Sequence, residues 1–354
     1  MTGPVFSEAE VIGRIDAFRR RRPRLKDEII TLAHGAGGKS SAALVDAEFV
    51  EAFGNELGDG AVLVAPGGRL AMSTDSFVVQ PLRFPGGSIG HLAVHGTVND
   101  LAMAGAVPRW LSAAFVLEEG FSIAELRAIV ADMAEAAEAA GVRVVTGDTK
   151  VVPRGAADGL FVTTAGVGII PDGREFAPVR PGDRVLLSGT MGDHGMAVML
   201  ARGDLDIEAD IASDTAAVSG MVEHLWAAAP SVRFLRDPTR GGVGTVANEL
   251  AQATGLGVVL DELMLPVRPV VNGACEMLGI DPLYVANEGK FLAVVAADEV
   301  DAGLAAMHAH PLGGEAVVVG EITEQPGSTV VLRTAFGGTR IVDMLVGDPL
   351  PRIC

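Results

Sequence analysis

Short runs rich in Val, Ile, Leu and Ala, bounded by Gly, Pro or Asp, punctuate the first half of the chain at 61–64, 70–73, 113–117, 142–146 and 160–170 and read as strands. A further run at 29–32 leads straight into a glycine-rich stretch. Between them, 123–140 carries apolar residues at helical spacing. Ser122 stands at the N-cap, Glu125 completes a capping box and Gly141 supplies the left-handed stop. Residues 171–183 break every period with three prolines and two glycines, and we place a domain boundary there.

In the second half, 184–187, 258–260, 291–295, 316–319 and 329–332 read as strands, and helices fit 195–202, 215–229, 243–253, 267–278 and 298–308. Neither half alternates strand and helix strictly, which predicts two domains, α/β plus α+β, rather than one barrel. The expected organisation is an arm at 1–28, an N-terminal domain at 29–175, a C-terminal domain at 176–336, and a mobile tail at 337–354.

Composition narrows the function classes. Hydrophobic residues make up 49% of the 354 positions and charged residues 20%, enough apolar material for folded cores. No run approaches the ~20 apolar residues of a membrane helix, and no export signal is legible, so neither membrane insertion nor secretion is expected. The net charge of −18 disfavours nucleic-acid and anionic-membrane partners. Six basic residues at 19–26 read as a solvated arm or as a dock for an acidic partner or nucleic acid. Two cysteines, Cys275 and Cys354, suit a reducing cytoplasm and exclude a disulfide scaffold.

Several motifs carry candidate chemistry. AHGAGGKS (33–40) nearly matches a phosphate-binding P-loop, but Ala33 replaces the first glycine; it serves either as a flexible connector or as a phosphate clamp with Lys39 adding charge. Asp75, Asn99-Asp100 and Asp148-Thr149 fall where strands end or apolar segments turn. They are either caps and turns or, converging, oxygen ligands for a Mg²⁺ ion that bridges to phosphate. His91 and His95 share helical spacing but lack the metalloprotease Glu, Leu92 standing in its place, and read as packing or surface residues. DPTRGGV (237–243) looks like a helix entrance that either caps or holds an anion near Arg240. Glu288, before a strand, is either a turn residue or a base tuned by burial.

Cys354 is the last residue, and its own α-carboxylate raises the thiol pKa, making it a slow nucleophile until a site supplies charge or a base. Half of an 18-residue tail reaches about 30 Å when extended, so a thiol on such an end suits a group that is carried.

HGAGGKSS (34–41), the 73–108 block, VVTGDTKVV (144–152), RDPTRGGV (236–243), DPLYVANEGK (281–290), HPLGGEAVVVGEI (310–322) and terminal PRIC together resemble the hydrogenase maturation HypE family, relatives of aminoimidazole ribonucleotide synthetase and selenophosphate synthetase. The resemblance implies a two-domain PurM-like fold, a homodimer built on N-terminal sheets, and ATP with Mg²⁺ bound between the domains. It further implies a HypF-like carbamoyltransferase that loads the terminal cysteine, ATP-dependent dehydration to a thiocyanate, and delivery of cyanide to iron on a HypC–HypD-like scaffold. By motif position, Asp75, Asp100 and Asp148 are the implied metal ligands and Asn99 and Thr149 join them at the nucleotide. Gly35, Gly37, Gly38 and Lys39 close over phosphates, and Lys150 and Glu288 position or deprotonate the group on Cys354, with His310 a further candidate. A free-substrate phosphotransferase and a non-catalytic nucleotide-binding scaffold are the competing readings.

Overall fold

The computed structural model describes residues 38–44, 61–65, 68–203, 209–345, 347 and 352–354. The expected arm at 1–28, the strand at 29–32, and Gly35 and Gly37 lie outside the described residues. The chain divides into two units, Met1–Leu57 with Met344–Asp348, and Gly58–Asp343 with Pro349–Cys354. In the first, helix α1 (Lys39–Leu44) begins with the Lys39 N–H donating to the Leu345 carbonyl at 3.1 Å. A β-carbon on Gly38 would stand 2.4 Å from that oxygen, so the approach requires glycine.

The second unit holds two main sheets. The first half supplies β1 (Ala61–Ala65), β2 (Gly68–Phe77), the two-residue ribbon β3 (Arg83–Phe84) and β4 (Gly87–Ser88), helix α2 (Ile89–Met103), β5 (Val107–Glu118), helix α3 (Ile123–Ala139), β6 (Arg143–Val152) and β7 (Leu160–Ile170). Their sheet has the order β1-β2-β7-β5-β6, with only the β5–β6 pair parallel. Buried residues occupy every second position of β7 from Leu160 to Ile170, the alternation of a sheet with one covered face. The cover is α2, whose Leu92, Ala93, Val94 and Val98 join Phe77, Leu160, Val162 and Ile129 in one core. Each large apolar side chain buried there contributes about 2 kcal/mol. Met72, Trp110 and Ile169 remain exposed on this sheet.

The second half supplies β8 (Arg184–Leu187), α4 (Asp193–Ala201), α5 (Ser219–Ala228), β9 (Phe234–Arg236), α6 (Gly242–Thr254), β10 (Gly257–Asp261), α7 (Pro269–Leu278), β11 (Leu292–Val295), α8 (Val300–His308), β12 (Val317–Thr323), β13 (Val330–Arg333) and β14 (Thr339–Val342). The mixed sheet has the order β14-β13-β10-β12-β8-β11-β9. Leu225 of α5 and Met307 of α8 pack with Phe291, Ala293 and Val295, while Met196 and Val198 of α4 and Cys275 of α7 belong to the same core as α2.

Three departures from the sequence reading matter. The helix expected from Thr215 starts at Ser219, because Asp214 to Val218 spend their polar groups on neighbouring segments. Strand β9 is only three residues long, too short to show a period. Thr339–Val342, expected within the tail, pairs with β13 as an edge strand; with three of its four residues exposed it carries no hydrophobic alternation.

Candidate active site

Strand β2 and helix α2 run side by side and set the first two acidic residues. Asp75 lies on the covered face of β2, and a β-carbon on the neighbouring Gly96 of α2 would stand 3.5 Å from its Oδ2 and 2.9 Å from the Phe77 ring. One turn along α2, Asp100 accepts a 2.5 Å hydrogen bond from Ser73 Oγ, two residues from Asp75 on the same strand face. The two carboxylates therefore stand within one helical turn of each other.

Two loops of the second half meet Asp75 electrostatically. Glu288 is 4% exposed and its carboxyl is raised well above the ordinary range, first by burial and then by the negative charges of Asp75, Asp237 and Asp214, with Arg240 opposing. Burial pushes Asp237 up to about 6; Asp75 and Glu249 add to the rise while Arg236 resists it. Burial also raises Asp75, against its bond from the Ser76 N–H and the charge of Arg240. A carboxylate cluster with Arg240 beside it thus spans β2, the entrance of α6 and the loop before β11. Asp237 and Arg240 were legible as a helix entrance that either caps or holds an anion, and nothing in the sequence announced that Asp237 is buried.

Asparagines hold these loops. Asn99 donates to the Ala216 and Glu288 carbonyls at 3.0 and 3.2 Å and accepts from the Val218 N–H at 2.8 Å. Expected at the nucleotide, Asn99 instead directs its side-chain amide to the protein backbone. Asn287 donates to the Pro238 carbonyl at 2.9 Å and accepts from the Gly192 N–H at 2.8 Å, joining the Asp237 and Glu288 loops. Asp214 accepts from the Glu288 N–H at 3.1 Å and pairs with Lys290 at 3.1 Å. His95, which shares a 3.0 Å hydrogen bond with Thr215 Oγ1, is pushed down to about 4 by burial and by His91.

Other expected residues lie elsewhere. Asp75 belongs to the cross-strand row Asp75, Thr164, Ala113, Gly147, whereas Asp148 closes the adjacent row Ser76, Thr163, Ala114, Asp148. Adjacent rows face opposite sides of a sheet, and three strand spacings amount to about 14 Å. Within one chain, then, Asp148 does not join Asp75 and Asp100. It pairs instead with Lys150 at 2.8 Å, both exposed on the edge strand, and Thr149 lies between them in β6. His310 packs against His224 and Gly220 rather than among the carboxylates. Among the described residues no group of three or more His, Cys, Asp or Glu side chains is placed to hold a metal ion.

The end of the chain lies near β2. The Val78 N–H donates to a Cys354 oxygen at 3.1 Å, and Val78 follows Asp75 by three residues, about 10 Å of extended chain. Cys354 is partly exposed.

Two family domains account for the two sheets: the AIR synthase related protein N-terminal domain matches residues 57–170 and its C-terminal domain matches 180–333. That defines the PurM-like two-domain class. The chain belongs to the carbamoyl dehydratase HypE family. It is 56% identical to carbamoyl dehydratase HypE of Rhodobacter capsulatus over 339 residues, 93% of this chain and 99% of that protein. Against the Escherichia coli K12 protein of that name identity is 47%, over 92% of this chain and 99% of the relative. A HypE–HypF complex superposes with a TM-score of 0.81 at 46% identity, covering 86% of this chain and all of that one. HypE in complex with ATP gives 0.78 at 44% identity, covering 92% of this chain and all of that one. No helix among the described residues is long and apolar enough to cross a membrane.

Proposed function

We propose that this protein is an ATP-dependent carbamoyl dehydratase that carries its substrate on Cys354 and converts the S-carboxamide to a thiocyanate for nickel–iron hydrogenase maturation. The observation that carries this reading is the seating of the terminal Cys354 on Val78, three residues from Asp75 of the buried carboxylate cluster.

The net change is loss of water: the carboxamide C–O bond breaks and two N–H protons leave. ATP supplies the drive by turning the amide oxygen into a phosphate leaving group. One N–H proton leaves to solvent as the oxygen takes the phosphoryl group, and Glu288, made more basic by burial and by its acidic neighbours, takes the other as the C–O bond breaks. Asp214 and Asn99 fix the Glu288 backbone, so the carboxyl is aimed before the tail arrives. Arg240 and the amides at the α6 entrance face the negative charge of the leaving phosphate. Lys39 at the start of α1 is assigned to phosphate by its motif.

Mg²⁺ fits the donor set: the side chains are hard carboxylates, and the raised pKa values of Asp75 and the nearby Asp237 mark a cluster short of positive charge. Asp75 and Asp100 would hold it, the phosphates completing the shell, and the ion would neutralise charge on the transferring phosphoryl. A homodimer built on the exposed Met72, Trp110 and Ile169 face would place Asp148 and Lys150 at the subunit interface. A HypF-like transferase loads the thiol, and a HypC–HypD-like iron scaffold receives the cyano group, in the cytoplasm.

The test is mass spectrometry of the C-terminal peptide after treatment with a HypF-like transferase and its carbamoyl donors, followed by ATP. Gain of a carbamoyl group at Cys354 and ATP-dependent loss of one water are expected. An unmodified Cys354, with the transferase active on a known acceptor, would favour a free-substrate phosphotransferase.

A further inference from the structure

The last three residues are seated through their main chain. Arg202 Nη1 donates to the Arg352 carbonyl at 3.1 Å, His194 Nε2 lies 2.7 Å from the Ile353 carbonyl oxygen, and the Val78 N–H reaches Cys354. The Arg352 guanidinium bonds the Asp158 carboxylate at the surface. Ile353 is 1% exposed and shares the apolar core of Phe84, Met196 and Val198.

His194 stands apart from the surface contacts because it is wholly buried. It sits in the first turn of α4, with the Phe84 ring edge-on 5.5 Å away. A carbonyl only accepts, so Nε2 carries the proton. Nδ1 then accepts from Ser213 Oγ at 2.8 Å, and Ser213 Oγ is itself fixed by the Thr215 N–H at 3.1 Å. A leucine would fill the space without desolvating two ring nitrogens. Both are spent, one on the fold and one on the chain end.

We propose that His194 is the positioning residue of the tail: a catch that holds the Ile353 carbonyl through Nε2 while Ser213 fixes the ring through Nδ1. The proposal deepens the reading in which Cys354 carries the substrate. Because the catch grips a carbonyl one residue before the thiol, it holds free, carbamoylated and dehydrated tails alike. Release of the tail strips a buried donor of its acceptor, so the seated state is favoured until a partner or solvent replaces that bond. The catch is also tied to the reaction centre: Asp214, next to Ser213, bonds the Glu288 N–H and pairs with Lys290. Seating the tail and ordering the Glu288 loop therefore share one segment of chain.

The test uses the full-length protein and follows release of Cys354 and Ile353 by a carboxypeptidase, with thermal melting as a check of folding. His194→Leu is expected to release these residues about tenfold faster, the factor that one ordinary hydrogen bond supports. His194→Gln, whose amide nitrogen can reach the Nε2 position, should stay within about twofold of the parent, and Ser213→Ala should fall between them. A folded His194→Leu protein with an equally protected tail overturns the proposal, as does a His194→Gln tail released as fast as that of His194→Leu. Should His194→Leu fail to fold, unchanged release from Ser213→Ala overturns it instead. Since neither transferase nor ATP is involved, the catch and the carrier reading can fail separately.

Discussion

Asn99 Nδ2 lies 3.2 Å from the carbonyl oxygen of Glu288, so a helix of the first half holds the backbone of the proposed base in the second. The same amide also meets Ala216 and Val218, and Asn99 is 1% exposed. Replacing it with Ala strands buried backbone groups, each costing roughly 1–3 kcal/mol. We expect Asn99→Ala to lose about 3 kcal/mol in urea unfolding. Dehydration should slow while ATP affinity changes little. A selective loss of ATP affinity with stability intact would return Asn99 to the nucleotide.

Asp237 makes stability depend on pH. Its folded-state pKa of about 6 lies above the usual 3.8, so the folded form binds its proton more tightly than the unfolded form. The stabilising contribution is complete below the unfolded value and disappears as pH rises from about 4 through 6, a loss of about 3 kcal/mol. Asp237→Asn should flatten this part of the profile in unfolding measured from pH 4 to pH 8. An unchanged profile would place the titration elsewhere.

Glu288→Gln removes the charge that Asp75, Asp237 and Asp214 oppose. The variant should fold at least as stably as the parent at neutral pH and still bind ATP, but dehydrate a carbamoylated Cys354 at least about a hundredfold more slowly. Cys354→Ala should also fold and bind ATP, and form no modified tail at all. Wild-type dehydration in the Glu288 variant would remove it from the role of base.

Trp110 is 43% exposed on a sheet that also exposes Met72 and Ile169. Trp110→Arg places charge in the face proposed for a homodimer and, if that proposal holds, should shift sedimentation toward the monomer with little change in monomer stability. An unaltered sedimentation coefficient would move the interface away from this sheet.

The regular elements were legible where burial is one-sided. The 160–170 run is β7 to the residue, and the helix capped by Ser122 begins at Ile123 and ends at Ala139. Parity was the harder problem. An acidic residue in β6 looks like one in β2 until the order β1-β2-β7-β5-β6 and the register assign Asp75 and Asp148 to opposite faces. Asp237 and Lys290 share the other difficulty: their burial arises from segments distant in sequence, which no local pattern encodes. Glu288 was nominated from its place before a strand, but only the neighbouring charges explain why it is basic.

The bond between the Val78 N–H and the Cys354 main-chain oxygen ties the residue that bears the thiol directly to the chain that continues β2. An affinity tag fused after Cys354 would convert the terminal carboxylate into a peptide link and force further residues past Val78. Preparations should carry their tags at the other end, and a single residue added after Cys354 becomes a sensitive probe of how closely the seat encloses that oxygen.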